Sequence, residues 1–278
     1  MIIRGGLIPR SLSHLILLVI AVTAFTPIWI MFVTSFKDRG GWIGFSSIWP
    51  FSSDLTFDHY IKVWKYGNFA RYFLNSFFVT FLITVGNLIF DSLAAYALAR
   101  KEFFLKKFVM TVIVVKLMIP SAVLMVPTFI LVNNLGLYDT YAAMILPMLA
   151  ETFGIFLIRQ YMLGIPKELE EAARLEGAGE FRIFMTIILP LCLPVLMVVL
   201  VHSVMTGWNM YIYPLILTSS DSLRTLPLGL AFYRSSHSEA DAAELMACSV
   251  IAALPVILVF IFFQKKIISG LTEGAVKG

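Results

Sequence analysis

Charge is what this sequence has least of. Only 14% of its 278 residues are Asp, Glu, Lys or Arg, against 59% hydrophobic residues. Its mean hydropathy is +0.89. A soluble domain of this length needs far more charge on its surface, so a water-soluble globular protein is excluded. Cysteine is scarce as well. Cys192 and Cys248 are the only two, and both fall in apolar runs. That pattern excludes a secreted disulfide framework and favours small buried residues over a metal site. No G-x-x-x-x-G-K-[ST] phosphate loop is present, so any linked ATP hydrolysis belongs to another chain. Zinc-protease and serine-hydrolase signatures are missing too, which argues against an intramembrane enzyme. There is no internal repeat and no low-complexity tract.

What the chain does have is six apolar stretches long enough to cross a hydrocarbon core of roughly 30 Å. They lie near Leu15–Phe36, Phe73–Leu98, Phe108–Val132, Tyr141–Ile158, Ile183–Trp208 and Leu245–Phe263. Helix is the only open-chain structure that satisfies its own backbone in lipid, so the expected fold is an all-α integral membrane protein with six transmembrane helices. Arg4 and Arg10 precede the first stretch, as in a secretory signal. That stretch is too long for a signal core and has no small-residue cleavage site, so it reads as a retained helix. Pro120, Pro127, Pro147, Pro190, Pro194 and Pro255 lie inside spans, where each tends to kink its helix. Such kinks suit a transporter and a static bundle equally.

Lys and Arg placement sets the expected orientation. With the N-terminus inside, 13 fall on inner segments and 7 on outer ones, with Lys116 alone inside a span. Both termini and the segment around Glu171 are therefore expected in the cytoplasm. The net charge of +4 reflects this bias rather than nucleic-acid binding. Two long outer connections remain. One, from Lys37 to Tyr72, carries Trp42, Trp49, Tyr60 and Trp64, which read as headgroup anchors. The other runs from Asn209 to Glu244, with polar turns at Thr218–Ser222 and Ser235–Glu239, and is long enough to hold a soluble partner.

The most informative stretch is Glu171–Pro190, EAARLEGAGEFRIFMTIILP. Pro166 suits a first helical turn, and Lys167–Ala178 is rich in helix formers. Leu169, Ala172, Ala173 and Glu176 share one face by helical spacing. Glu170 and Arg174 are spaced to pair on another. Gly177 and Gly179 permit a sharp turn into the fifth span. Four glutamates and a weak apolar stripe argue against a helix lying on anionic headgroups. The segment reads as a polar handle between two spans.

Glu171, Ala172, Ala173, Gly177, Ile187, Leu189 and Pro190 occupy the marked positions of the cytoplasmic loop in permease subunits of bacterial binding-protein-dependent ABC importers, and the chain resembles that family. Further likeness lies in Ser92–Arg100, at the end of the second span, and in the Trp208-Asn209 pair. The tail Gly270, Leu271, Thr272, Gly274 and Lys277 resembles that of the maltose-type sugar branch, where the tail reaches into the ATPase interface. The resemblance implies a type I ABC importer permease fold in residues 72–264. Residues 1–71 would form a preceding helix with its outer connection, and 265–278 a cytoplasmic tail. It also implies that loop 166–182 docks into an ATPase subunit and transmits its motion. Implied partners are a second, non-identical permease, two ATPase subunits that carry ATP and Mg, and an extracytoplasmic binding protein. No cofactor is implied on this chain, and no enzymatic activity. By analogy Thr218–Ala240 would probe the binding protein's ligand cleft. The implied function is carbohydrate import across the bacterial cytoplasmic membrane. Rival readings are a permease for a phosphorylated polyol, such as a glycerol phosphate ester, and a non-transport scaffold.

Asp91, Lys116 and Glu151 are the charged side chains inside the spans, each roughly 10–12 Å from the inner boundary by helical rise. Charges there pair or face the bundle interior, so Lys116 is expected to pair with Asp91, or failing that with Glu151. For saccharide contact the candidates are Trp208, Asn209 and Tyr211, with Asn87 behind them. Headgroup anchoring and interhelical hydrogen bonding remain open for each. His202 reads as an interhelical polar contact.

Overall fold

The computed structural model describes residues 10–38, 55–66, 68–236 and 242–275. Apart from one antiparallel bridge between Lys37 and Leu55, the regular structure among them is helical. In chain order the helices are α1 (Arg10–Thr34), α2 (Asp58–Tyr66), α3 (Phe69–Arg100), α4 (Lys106–Met118), α5 (Met125–Asn134), α6 (Tyr141–Ile145), α7 (Thr152–Leu163) and α8 (Glu168–Leu175). They continue with α9 (Glu180–Ile183), α10 (Leu189–Leu191), α11 (Leu193–Trp208), α12 (Ile212–Leu217), α13 (Leu226–Ser236) and α14 (Ala242–Ala275). Four helical stretches among the described residues are long and apolar enough to span a membrane, and two bent pairs raise the number to six.

Three of the expected spans are broken rather than continuous. The third bends by 107° between α4 and the segment Ser121–Asn134. Ile119 is extended there (φ −87°, ψ 121°), because a residue before proline is pushed out of the helical region. The fourth stops after a 3₁₀ turn at Leu146–Met148, and α7 restarts at Thr152; between them Ala150 has φ 55°. The fifth bends by 79° between Glu180–Leu191 and α11. A π turn at Phe184–Ile188 precedes that bend, and Pro194 in the first turn of α11 cannot donate across it.

The chain divides into two compact units. In the first, residues 1–70 with 230–254, the end of α1 is tied to α2. Ser35 Oγ lies 2.6 Å from Tyr60 Oη, His59 Nε2 meets the Lys37 carbonyl at 2.9 Å, and Phe36, Phe57 and Tyr60 form an aromatic cluster. Glu244 accepts from Lys62 (3.2 Å) and from Tyr233 (2.9 Å). Trp64 is exposed; Trp42 and Trp49 lie outside the described residues.

The second unit, residues 71–229 with 255–278, holds both candidate sites. Its main core joins Ala95, Tyr96 and Ala99 of α3 to Ile158 and Met162 of α7, Ala173 of α8, and Ile183, Phe184, Ile188, Val195 and Val199 along the fifth span. Cys192 belongs to this core; Cys192 and Cys248 are both buried and unpaired. The segment after α12 is pinned to the start of this unit. Tyr72 donates to Asp221 (2.7 Å), Arg71 to the Ser222 carbonyl (3.0 Å), and Asn75 to the carbonyls of Ser222 and Arg224 (2.9 Å each). The segment 218–240, expected on the outer side, contains a 3₁₀ turn at Asp221–Leu223 and α13, with 237–240 outside the described residues.

Candidate coupling site and membrane cavity

Helix α8 has two unlike faces. Glu171, Ala172 and Leu175 are exposed, and Leu175 is 91% so, a costly placement for leucine unless another surface covers it. Glu170 and Ala173 are buried. The expected grouping of Ala173 with Leu169, Ala172 and Glu176 is corrected here: Ala173 turns into the core while the other three face outward.

Glu170 is the anchor. Its Oε1 lies 2.6 Å from Arg100 Nε at the end of α3, with both side chains 3% exposed. The Arg100 N–H is not aligned along that contact, so charge attraction rather than a directed hydrogen bond holds it. Arg100 Nη2 also donates to the Ile165 carbonyl (2.7 Å), fixing the chain just before α8. Arg174 Nη2 reaches Glu170 Oε2 at 3.2 Å, the i, i+4 pair expected from spacing. Arg174 Nε donates to Glu180 (3.0 Å), and Tyr96 Oη donates to Glu180 from α3 (3.0 Å). Lys101 also pairs with Glu180. The Glu180 hydrogen bond is the main cause holding the Arg174 guanidinium above its ordinary pKa. Sequence reasoning paired Glu170 with Arg174 but missed its contact with Arg100, and the roles of Tyr96 and Glu180. Their sign was a second glutamate beside Glu171 and an arginine ending the helix that α8 packs against.

The remaining marked positions follow. Gly177 sits at φ +84° just after α8, a left-handed turn that side-chain-bearing residues resist. Ile187 and Leu189 are half-buried against the main core, while Pro190 is exposed. Of the tail, Gly270, Leu271, Thr272 and Gly274 lie on the backbone of α14, and Lys277 is outside the described residues.

A separate open cavity of ≈950 Å³ lies where the broken spans meet, with Lys116, Glu151, His202, Asn209 and Tyr211 in its wall. Asn209 is exposed and donates to the Met205 carbonyl (2.8 Å); Tyr211 is 39% exposed. Trp208 is not in that wall. It is 4% exposed and packs edge-on against Phe73 at 5.4 Å, because the last turn of α11 presents it to α3. Asn87 is buried and donates to Ser203 Oγ (3.3 Å), an interhelical bond.

The expected Lys116 pairing is also corrected. Lys116 is exposed and forms no ion pair among the described residues. Asp91 is fully buried and turned towards α7, where a Cβ on Gly154 would stand 2.0 Å from its Oδ2. Neither Asp91 oxygen has a hydrogen-bond partner among the described residues. Glu151 Oε1 instead meets His202 Nε2 at 3.1 Å, the interhelical contact expected of His202.

The sequence matches the family described as "Binding-protein-dependent transport system inner membrane component" over residues 91–272. It is 39% identical to an arabinooligosaccharides transport system permease protein of Halalkalibacterium halodurans, over 81% of both chains. It is 32% identical to an sn-glycerol-3-phosphate transport system permease protein of Brucella abortus, over 96% of this chain and 97% of that one. Among solved structures, a chain of a bacterial ABC transporter that imports the acidic polysaccharide alginate superposes with a TM-score of 0.81. That chain is 25% identical, with 94% of this chain and 99% of that one covered.

Proposed function

Because the chain belongs to the family of binding-protein-dependent transport system inner membrane components, we propose that it is one permease subunit of a type I ABC importer for carbohydrates. Its relatives named for arabinooligosaccharide and alginate transport support that substrate class. The observation that carries the mechanism is the division of α8. One face, with Glu171, Ala172 and Leu175, is open to a partner, and the other, with Glu170 and Ala173, is locked to α3 and the main core.

A force on the open face therefore passes through packed side chains and the Arg100–Glu170 pair into α3, α7 and the fifth span. Rigid elements in contiguous contact transmit displacement in this way. In this reading α8 is cytoplasmic, both termini are cytoplasmic, and the site lies in the bacterial inner membrane. Two ATPase subunits, carrying ATP and Mg, close on nucleotide binding. A second, non-identical permease completes the pore, and an extracytoplasmic binding protein delivers the sugar. Closure switches the cavity from inward-facing to outward-facing, and hydrolysis resets it. The exposed α8 face, Gly177, and the tail from Gly270 to Lys277 are the contacts assigned to the ATPases, and the segment 218–240 to the binding protein.

A second reading, import of a glycerol phosphate ester, draws on the Brucella abortus relative and on Lys116, a cation in the cavity wall with no ion pair among the described residues. Reconstitution tests both. The purified complex in liposomes is expected to accumulate arabinotriose only with internal ATP and external binding protein. Uptake independent of either would overturn the importer reading, and uptake of sn-glycerol-3-phosphate alone would select the second.

A further inference from the structure

We propose that this chain itself carries a subsite for uncharged saccharide, built from Glu151, His202 and Lys116 in the wall of the ≈950 Å³ cavity. This rests on the importer reading and adds to it where the sugar is held. The three residues come from three elements that sequence alone keeps apart: α4, the break before α7, and α11.

Non-helical backbone at membrane depth is tolerated only where it is buried in protein or lines a water-filled cavity. Two of the span breaks open onto this one: Leu117, Ile119 and Ser121 at the α4 break and Leu149 and Glu151 at the α7 break are among its lining. The cavity is open, and its polar side chains are available to a ligand that enters it.

The chemistry is bifunctional. His202 Nε2 donates to Glu151 Oε1 at 3.1 Å, and that bond orients the carboxylate and leaves Oε2 to accept from a ligand. Phe153 packs against the imidazole at 4.5 Å between ring centroids and fixes its position. Glu151 and His202 keep 26% and 38% of their side-chain surface exposed, enough for contact from the cavity. Lys116 supplies three N–H donors with no carboxylate on them. A sugar hydroxyl both donates and accepts, so a saccharide in the cavity can donate to Glu151 and accept from Lys116. Tyr211, 39% exposed, lines the same cavity and supplies an aromatic ring for a sugar's C–H surface. A uronate or phosphate would meet Lys116, but it would also meet the Glu151 carboxylate on the same wall, and like charges oppose it. Uncharged sugar is the class that satisfies both groups.

The test uses the complete complex in liposomes, with Thr206→Cys as a reporter in the cavity wall; Cys192 and Cys248 are buried and give little background. A maleimide labels the reporter, and arabinotriose, raffinose, trigalacturonate or sn-glycerol-3-phosphate is added with binding protein and ATP. The uncharged sugars are expected to slow labelling. Glu151→Gln and Lys116→Met should each raise the half-protecting concentration about tenfold, the scale of losing a charge-assisted hydrogen bond. Should the reporter impair assembly, Thr152→Cys on the same wall replaces it. Protection that ignores both substitutions would overturn the subsite, as would protection by the anionic probes alone. Absence of any protection while ATP-driven uptake persists would overturn the subsite and leave the importer reading standing. Loss of nucleotide dependence in the unsubstituted complex would instead sink the importer reading, and the subsite with it.

Discussion

Replacing Glu170 by glutamine removes the charge that holds α8 to α3 while keeping its size. Arg100 would then remain 3% exposed without its counter-charge. Breaking a buried pair from one side costs about 3–5 kcal/mol, mostly the stranded partner's desolvation. Two contacts soften the loss: the Ile165 carbonyl still accepts from Arg100 at 2.7 Å, and Ala173 still packs in the core. The low end of the range, about 3 kcal/mol, is therefore expected, and it shifts the docked–undocked equilibrium of α8 roughly 150-fold. Two readouts follow. Amide exchange over residues 168–175 should accelerate, and the sugar imported per ATP hydrolysed should fall severalfold in reconstituted complex. A double substitution, Arg100→Met with Glu170→Met, removes both charges and should recover assembly, since apolar replacement of a buried pair is often neutral or stabilising. Glu170→Gln with unchanged exchange and unchanged coupling would refute the reasoning.

Gly177→Val should depress uptake and raise sugar-independent ATPase activity, because φ +84° disfavours a β-branched residue although nothing lies within 4 Å of a new Cβ. Gly177→Asn should be milder, and equal effects would point to a clash instead. Gly154→Ala drives a methyl into Asp91 Oδ2 and should cost about 1–3 kcal/mol by overpacking, read as a lower Tm of the detergent-solubilised complex. Adding Asp91→Ala should recover part of that loss, and no recovery would argue against the contact. Asp139 is held below its ordinary value of 3.8, chiefly by the Ser220 hydroxyl and then by the amides of Ser220 and Ser219. A depressed carboxylate stabilises above its ordinary pKa, and that contribution is lost as pH falls through the lower folded value. Exchange of the Ser219 and Ser220 amides should accelerate only in that acid range, and Asp139→Ala, which removes the acceptor of both, should give the fast rate already at neutral pH.

The span positions are legible in the sequence because apolar length alone defines them. Where the helices break is legible only in part. Pro120 announces the extended Ile119 and Pro147 lies in the 3₁₀ turn where the fourth span stops, whereas nothing in the type of the exposed Ala150 announces its positive φ. The helix at Glu168–Leu175 and the glycine turn after it are readable from the spacing. Which of the adjacent glutamates faces inward is not, since that depends on the register of α8 against Arg100, 70 positions upstream of Glu170. Trp208 and Lys116 failed for the same reason. A side chain's residue type gives its chemistry, but the neighbouring helix decides whether it meets core or cavity. Asn209 and Tyr211 reached the cavity wall, one position and three beyond the buried tryptophan.

The central claim is that the open face of α8 meets a separate nucleotide-hydrolysing subunit inside the cell. A bifunctional thiol reagent at Leu175→Cys, in a residue 91% exposed, tests it directly. The account predicts an adduct with the ATPase subunit in inside-out vesicles and none in right-side-out ones. Reaction from the external face, or an inside-out preparation with no such adduct, would contradict it.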